Sequence, residues 1–228
     1  MKTKLFVLIL LGFASSVLGL DRAELDRRIY KLTSKLEMMQ QNTLSRIPPE
    51  FLRKANGVIL LDRTKAGLIF AYEGGGGVAM AKDPKTKKWS PAAFVTANEA
   101  SLGFQIGGQQ SFLVILLMST NASRLLTEPG FEFGGEARGT AGKASAGAES
   151  TISSIDAPVV VFDYRKGLYG GAAIKGGTLA PDEDANYAYY GQFLTMQEIL
   201  YANKVKPTES TAQLAETLTK YATQTASK

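Results

Sequence analysis

Between residues 57 and 117, short apolar runs alternate with glycine clusters and polar turns. That alternation is the pattern of antiparallel strands joined by hairpins. Residues 58–61 read as a strand, 62–66 as a turn and 67–72 as a second strand. Gly74, Gly75, Gly76 and Gly77 then stand together at a strand edge, ahead of the apolar residues 78–81. Four such glycines point to a bulge or to a close approach of two backbones. Residues 83–88 (DPKTKK) make a polar hairpin tip, from which Trp89, Phe94 and Val95 return to the core. Residues 102–106 and 112–118 are further strands. The second is almost wholly apolar, as expected of a strand buried on both faces.

Upstream the period changes. Leu25, Ile29, Leu32, Leu36 and Met39 recur at spacings of 4, 3, 4 and 3 and line one face of a helix over residues 21–43. Asp21 suits the N-cap, with Glu24 three residues on. Ile47-Pro48-Pro49-Glu50 ends that helix and starts another, with Phe51, Leu52 and Ala55 inward and Gly57 as its stop. Downstream, residues 121–126 read as a short helix and 131–137 as a strand. Residues 159–164 and 167–174 form a hairpin, and 186–190, 196–200 and 211–222 are helices. The pattern leaves the state of the small, polar segment 139–154 open. Residues 103–109 (GFQIGGQ) echo 130–136 (GFEFGGE), and 65–68 (KAGL) echo 165–168 (RKGL), with no fixed period. The whole predicts an α+β fold: a mostly antiparallel, curved or barrel-like sheet with N-terminal and C-terminal helices.

The first 19 residues stand apart. Lys2 and Lys4 precede the apolar run 5–13, and small residues follow at 15–19. This is the order of a secretory signal peptide, cleaved near Leu20; as an uncleaved anchor the run is short for a bilayer. The expected product is a single domain over residues 20–228, secreted or periplasmic and able to sit peripherally on a membrane. It comprises an N-terminal helix at about 21–45, a core at about 47–200 and a C-terminal helix at about 208–224. Loss of Lys2 and Lys4, with no acid among residues 1–19, takes the net charge from +5 to +3. That balance permits attraction to anionic lipid and is too weak to argue for nucleic acid.

The chain has no cysteine and no histidine. Disulfides, thiolate nucleophiles, Ser-His-Asp machinery and His- or Cys-ligated zinc are excluded. Carboxylates, lysine, tyrosine or an all-oxygen metal site remain. Gly142-Lys143 is the nearest approach to a phosphate loop, but Ala137 stands where its first glycine belongs and Ala144 follows the lysine. Asp182, Glu183 and Asp184 gather oxygen donors without calcium-loop spacing and read better as a turn capping the next helix. Glu73, Glu99, Glu132 and Glu136 lie on or near strands, and no spacing singles out a catalytic pair. The residues therefore predict no enzyme and no cofactor.

Two basic features remain. Lys82, Lys85, Lys87 and Lys88 flank Trp89 at the hairpin tip, with only Asp83 opposing. Lysines attract anionic headgroups and tryptophan favours the membrane interface; alternatively, the tip is an ordinary soluble turn with Trp89 folded into the core. Arg27, Arg28, Lys31 and Lys35 lie off the apolar stripe of the first helix, mixed with Glu24, Asp26 and Glu37. That face is either solvated or a membrane contact.

An ordered set of short motifs now points to a family. It runs from Ile47-Pro48 through Leu52-x-x-Ala55-x-Gly57-Val58, Lys65-Ala66-Gly67 and the run Gly74 to Gly77. Trp89-Ser90-x-x-Ala93-Phe94 and Ser101-x-Gly103-x-Gln105-Ile106-Gly107 follow. Tyr164-x-Lys166-Gly167-Leu168-Tyr169-x-Gly171, Gly176 and Asn186-x-x-Tyr189-Tyr190-Gly191 complete it. Over about residues 47–200 this resembles the SYLF domain family, which includes actin-associated yeast proteins and secreted bacterial members. The resemblance implies lipid binding without established catalytic residues, and an N-terminal amphipathic helix that engages membrane in some members, whose counterpart here is residues 21–43. Actin association is not carried to a chain read as secreted. The expectation is a non-catalytic protein on anionic phospholipid membranes, with Lys82, Lys85, Lys87, Lys88 and Trp89 as headgroup and interface contacts and Arg27, Arg28, Lys31 and Lys35 as a second patch. The alternative is a structural or adaptor protein of the cell envelope that binds a protein partner without lipid preference.

Overall fold

The computed structural model describes residues 20–66, 70–102, 109–133, 158–164, 167–169 and 177–224. The expected leader, the segment 139–154, the strand ends at 103–106, 134–137 and 170–174, and most of the echoing segments lie outside them.

Helix α1 (Arg22–Gln41) begins where Asp21 accepts the N–H of Glu24 at 2.6 Å. Its stripe, Leu25, Ile29, Leu32, Leu36 and Met39, is buried, because a period near 3.6 puts these residues on one side. Helix α2 (Pro49–Lys54) has proline in its first turn, where no N–H is needed. Phe51, Leu52 and Ala55 turn inward. Gly57 is not the helix stop: α2 is capped at Ala55, and Gly57 opens the first strand.

Among the described residues eight strands follow: β1 (Gly57–Ala66), β2 (Phe70–Ala81), β3 (Ala93–Leu102), β4 (Gln109–Leu117), β5 (Phe131–Phe133), β6 (Val159–Asp163), β7 (Gly167–Tyr169) and β8 (Gly177–Pro181). They form one antiparallel sheet in the order β5-β8-β3-β2-β1-β4-β6-β7. Among the described residues it is open, ending at β5 and β7, and not closed as a barrel.

Several expectations are corrected here. Residues 62–66 are not a turn but the second half of β1, paired with β2 throughout and with β4 as far as Lys65. Asp62 tolerates that central place because two lysines of α1 meet its carboxylate. Of the separate strands expected at 67–72 and 78–81, residues 67–69 lie outside the described residues, and residues 70–72 and 78–81 belong to one strand, β2. Its register with β1 runs one to one through all four glycines, from Ala66↔Tyr72 to Gly57↔Ala81, so no bulge forms. The close backbone approach is real at Gly77, where a Cβ would lie 2.2 Å from the Leu60 carbonyl oxygen. Residues 94 and 95 are in the core as expected and lie within β3; of the strand expected at 102–106 only Leu102 is described, and it is the last residue of β3. Strand β8 has no counterpart in the sequence reading. Proline lacks the N–H for a ladder, and Pro181 occupies the last position of β8, opposite Val95.

Both faces of the sheet are covered. Val58, Leu60, Val78, Met80, Phe112 and Val114 pack with α1, α2, α4 (Glu183–Tyr190) and α6 (Glu209–Thr223). Ile59, Leu61, Ala79, Leu113, Ile115 and Leu117 face α3 (Thr120–Arg124), the 3-10 turn Leu125–Thr127 and α5 (Met196–Leu200). Strand β4 contributes to both cores, as its continuous apolar run requires. A polar cluster ties the helices together. The Tyr189 hydroxyl donates to Asp26 Oδ1 at 2.7 Å and lies 2.5 Å from Thr208 Oγ1 and 2.8 Å from Ser210 Oγ. It links α1, α4 and the start of α6.

Candidate functional site

The hairpin between β2 and β3 has a braced tip. The Asp83 carboxylate accepts the backbone N–H groups of Lys85 at 2.9 Å and Thr86 at 2.6 Å, and the Thr86 bond leads in holding that carboxyl below its ordinary range. Lys87 adopts the left-handed region at φ +60° and donates its N–H to the Asp83 carbonyl. Lys85, Lys87 and Lys88 are exposed. The acid of the tip, Asp83, is thus turned onto the backbone, and three exposed lysines stand on a braced loop.

Lys82 and Trp89 do something else. Trp89 is only 9% exposed and belongs to the core. Lys82 Nζ donates to the carbonyls of Leu52 at 3.0 Å and Arg53 at 3.1 Å, and sits 4.5 Å from the Trp89 ring centre. It satisfies carbonyls at the end of α2 that the helix leaves unpaired. Burial, then the nearby Lys87, lower its pKa to about 8. Five residues adjacent in sequence therefore divide into three surface cations and a latch that fastens the hairpin to α2.

The four cations of α1 also divide. Arg27 is exposed. Arg28 pairs with Glu24 at 3.3 Å. Lys31 and Lys35 both reach Asp62 Oδ2, at 3.1 and 2.6 Å. Lys35 is largely enclosed in that pair, whereas the Lys31 side chain is 65% exposed.

Beneath these residues lies a cleft of about 350 Å³, lined by Arg28, Lys31, Leu32, Asp62, Gly75, Gly76, Gly77, Phe94, Val95 and Asp182. It separates α1 from the glycine run of β2. A Cβ on Gly76 would meet nothing within 4 Å, so the missing side chain is part of the opening. On the far wall, Asp182 caps α4, accepting the Ala185 N–H at 3.1 Å. That is the capping role expected of the acidic run. Sequence reasoning missed the cleft, and with it the places of Asp62 and Asp182 in its walls; the only signal was the glycine run itself.

Comparison with known proteins finds relatives of this chain. The family model Ysc84, described as Las17-binding protein actin regulator, matches residues 98–221. The chain is 32% identical over 168 residues to SH3 domain-containing YSC84-like protein 1 of Xenopus laevis, covering 72% of this chain and 50% of that protein. It is 32% identical over 166 residues to Protein YSC84 of Saccharomyces cerevisiae, covering 71% and 35%. It is 30% identical over 165 residues to LAS seventeen-binding protein 3 of the same yeast, covering 71% and 36%. The chain thus spans half or less of the length of these relatives. No solved structure matches it.

Proposed function

The chain belongs to the Ysc84, or SYLF, family, and from that premise we propose that it is a non-catalytic protein that docks on anionic phospholipid membranes. The observation that carries this reading is the hairpin tip, where Lys85, Lys87 and Lys88 are exposed while Asp83 is engaged by backbone N–H groups. A lysine near an anionic surface contributes about 1 kcal/mol. Arg27 and Lys31 on α1 supply further exposed charge, with Arg28 and Lys35 held by their carboxylate partners. Trp89 has no place in this contact, because it is buried. The reading places the protein outside the cytoplasm, secreted or periplasmic, following the leader-like residues 1–19.

The test is the triple variant Lys85→Gln, Lys87→Gln, Lys88→Gln. All three side chains are exposed, so the fold is expected to stand, while partitioning onto phosphatidylglycerol vesicles falls about 100-fold at three times ~1 kcal/mol. Unchanged partitioning removes the hairpin from the account.

A second reading is an adaptor that binds a protein partner. Two observations favour it. Family members carry names that describe protein binding. In addition, Tyr187 and Phe193 stack in solvent at 4.3 Å, with Phe193 84% exposed. Recovery of one specific envelope protein by wild type and not by Phe193→Ser would favour this reading.

A further inference from the structure

We propose that the cleft between α1 and the glycine run of β2 binds a small zwitterion of the aminoalkyl phosphate class, such as phosphoethanolamine. This goes beyond docking on a charged surface, and it rests on the membrane reading only where the zwitterion is a lipid headgroup.

The first argument is the glycine. Gly77 is required, because its Cβ would strike the Leu60 carbonyl. Gly76 is not required by any contact: a Cβ there meets nothing within 4 Å, and its φ lies outside the left-handed region. Two and four residues on, Val78 and Met80 fill the same face of the sheet with side chains. Glycine inside a strand weakens it, and often marks a place where a ligand approaches closely.

The second argument is charge. Lys35 lies 2.6 Å from Asp62 and neutralises it. Lys31, exposed and paired with Asp62 at the longer distance of 3.1 Å, can turn from it towards a ligand beside Arg28, whose guanidinium also meets Glu24 at 3.3 Å on the exposed side of α1. Across the cleft, Asp182 has no cation within ion-pair distance among the described residues, and its Oδ1 is engaged only by the Ala185 N–H. One wall thus offers cations and the other a carboxylate. A simple anion would face Asp182, and a simple cation would face Arg28 and Lys31. A phosphate joined to an ammonium by a short methylene spacer suits both walls, with Leu32, Phe94 and Val95 along the spacer. A cleft of about 350 Å³ lies in the range of small-molecule sites.

The test is titration of the full-length protein with O-phosphoethanolamine, inorganic phosphate and ethanolamine, followed by amide chemical shifts and calorimetry. The expected result is saturable binding of phosphoethanolamine, at least tenfold tighter than either fragment. Gly76→Val, whose side chain projects into the cleft at the glycine wall, abolishes it. Asp182→Asn keeps the helix cap and lowers phosphoethanolamine affinity to that of phosphate; this variant carries the test if Gly76→Val does not fold. Equal affinity of wild type for phosphate and phosphoethanolamine, no saturable binding, or full binding by folded Gly76→Val overturns the proposal. Because the ligand is soluble, failure here is distinct from failure of membrane docking. Phosphatidylcholine vesicles with and without phosphatidylethanolamine separate the sources: added capture by the second lipid identifies a headgroup, and binding of the soluble compound alone identifies a free metabolite.

Discussion

Adjacent glycines in β2 should respond oppositely to the same methyl group. At Gly77 an added Cβ would sit 2.2 Å from the Leu60 carbonyl oxygen, about 0.8 Å inside the 3.0 Å that real Cβ atoms keep. Strand β1 cannot retreat freely, because β4 is paired along its other edge, with Leu61 opposite Leu113. Overpacking of this kind costs about 1–3 kcal/mol, and each ladder hydrogen bond disturbed adds about 1 kcal/mol. Gly77→Ala should therefore lose about 3 kcal/mol, or ~6–12 °C of Tm for a domain of this size. At Gly76 the methyl group enters open space, and the gain from restricting the unfolded chain is about 0.5–1 kcal/mol. Gly76→Ala should melt at or slightly above wild type. Thermal and urea unfolding followed by circular dichroism measure both. If Gly77→Ala melts within 1 °C of wild type, or if the two variants shift alike, the geometry assigned to β1 and β2 is wrong.

Other consequences follow from the helices and the hairpin. Tyr189→Phe removes the hydroxyl shared by Asp26, Thr208 and Ser210. It should cost about 2 kcal/mol, since one acceptor is a carboxylate, and differential scanning calorimetry should show Tm lower by ~4–8 °C; an unchanged Tm would count against the cluster. Lys82 has its folded pKa lowered from 10.5 to about 8, so the fold disfavours its protonated form. That penalty is whole below pH 8 and fades as pH rises towards 10.5. Between these values wild type should gain stability relative to Lys82→Met, and parallel Tm profiles for the two proteins would refute the assignment.

Legibility in the sequence followed the range of the interactions involved. Helix α1 and strand β4 were readable because their burial is written into local spacing: a 3.6-residue stripe ending at Met39 and an unbroken apolar run from Phe112 to Leu117. The caps at Asp21 and Asp182 were readable because each acts three residues away. The strand character of residues 62–66 was hidden. Asp62 looks like a turn residue until Lys35, 27 positions upstream, is seen to neutralise it. The same holds for Lys82, whose carbonyl partners are 29 and 30 positions away. The basic residues were visible as charges, but their division into surface cations, an α2 latch and cleft walls depends on tertiary pairing. The glycine run announced a special backbone. It did not distinguish Gly77, excluded from a side chain by Leu60, from Gly76, which opens the cleft.

Membrane docking itself is tested most directly by co-sedimentation of the purified protein with phosphatidylcholine and phosphatidylglycerol vesicles at low and physiological salt. The account predicts pelleting with the anionic vesicles only, weakened as salt screens the exposed lysines. Equal pelleting with both lipids, or none with either, would contradict it.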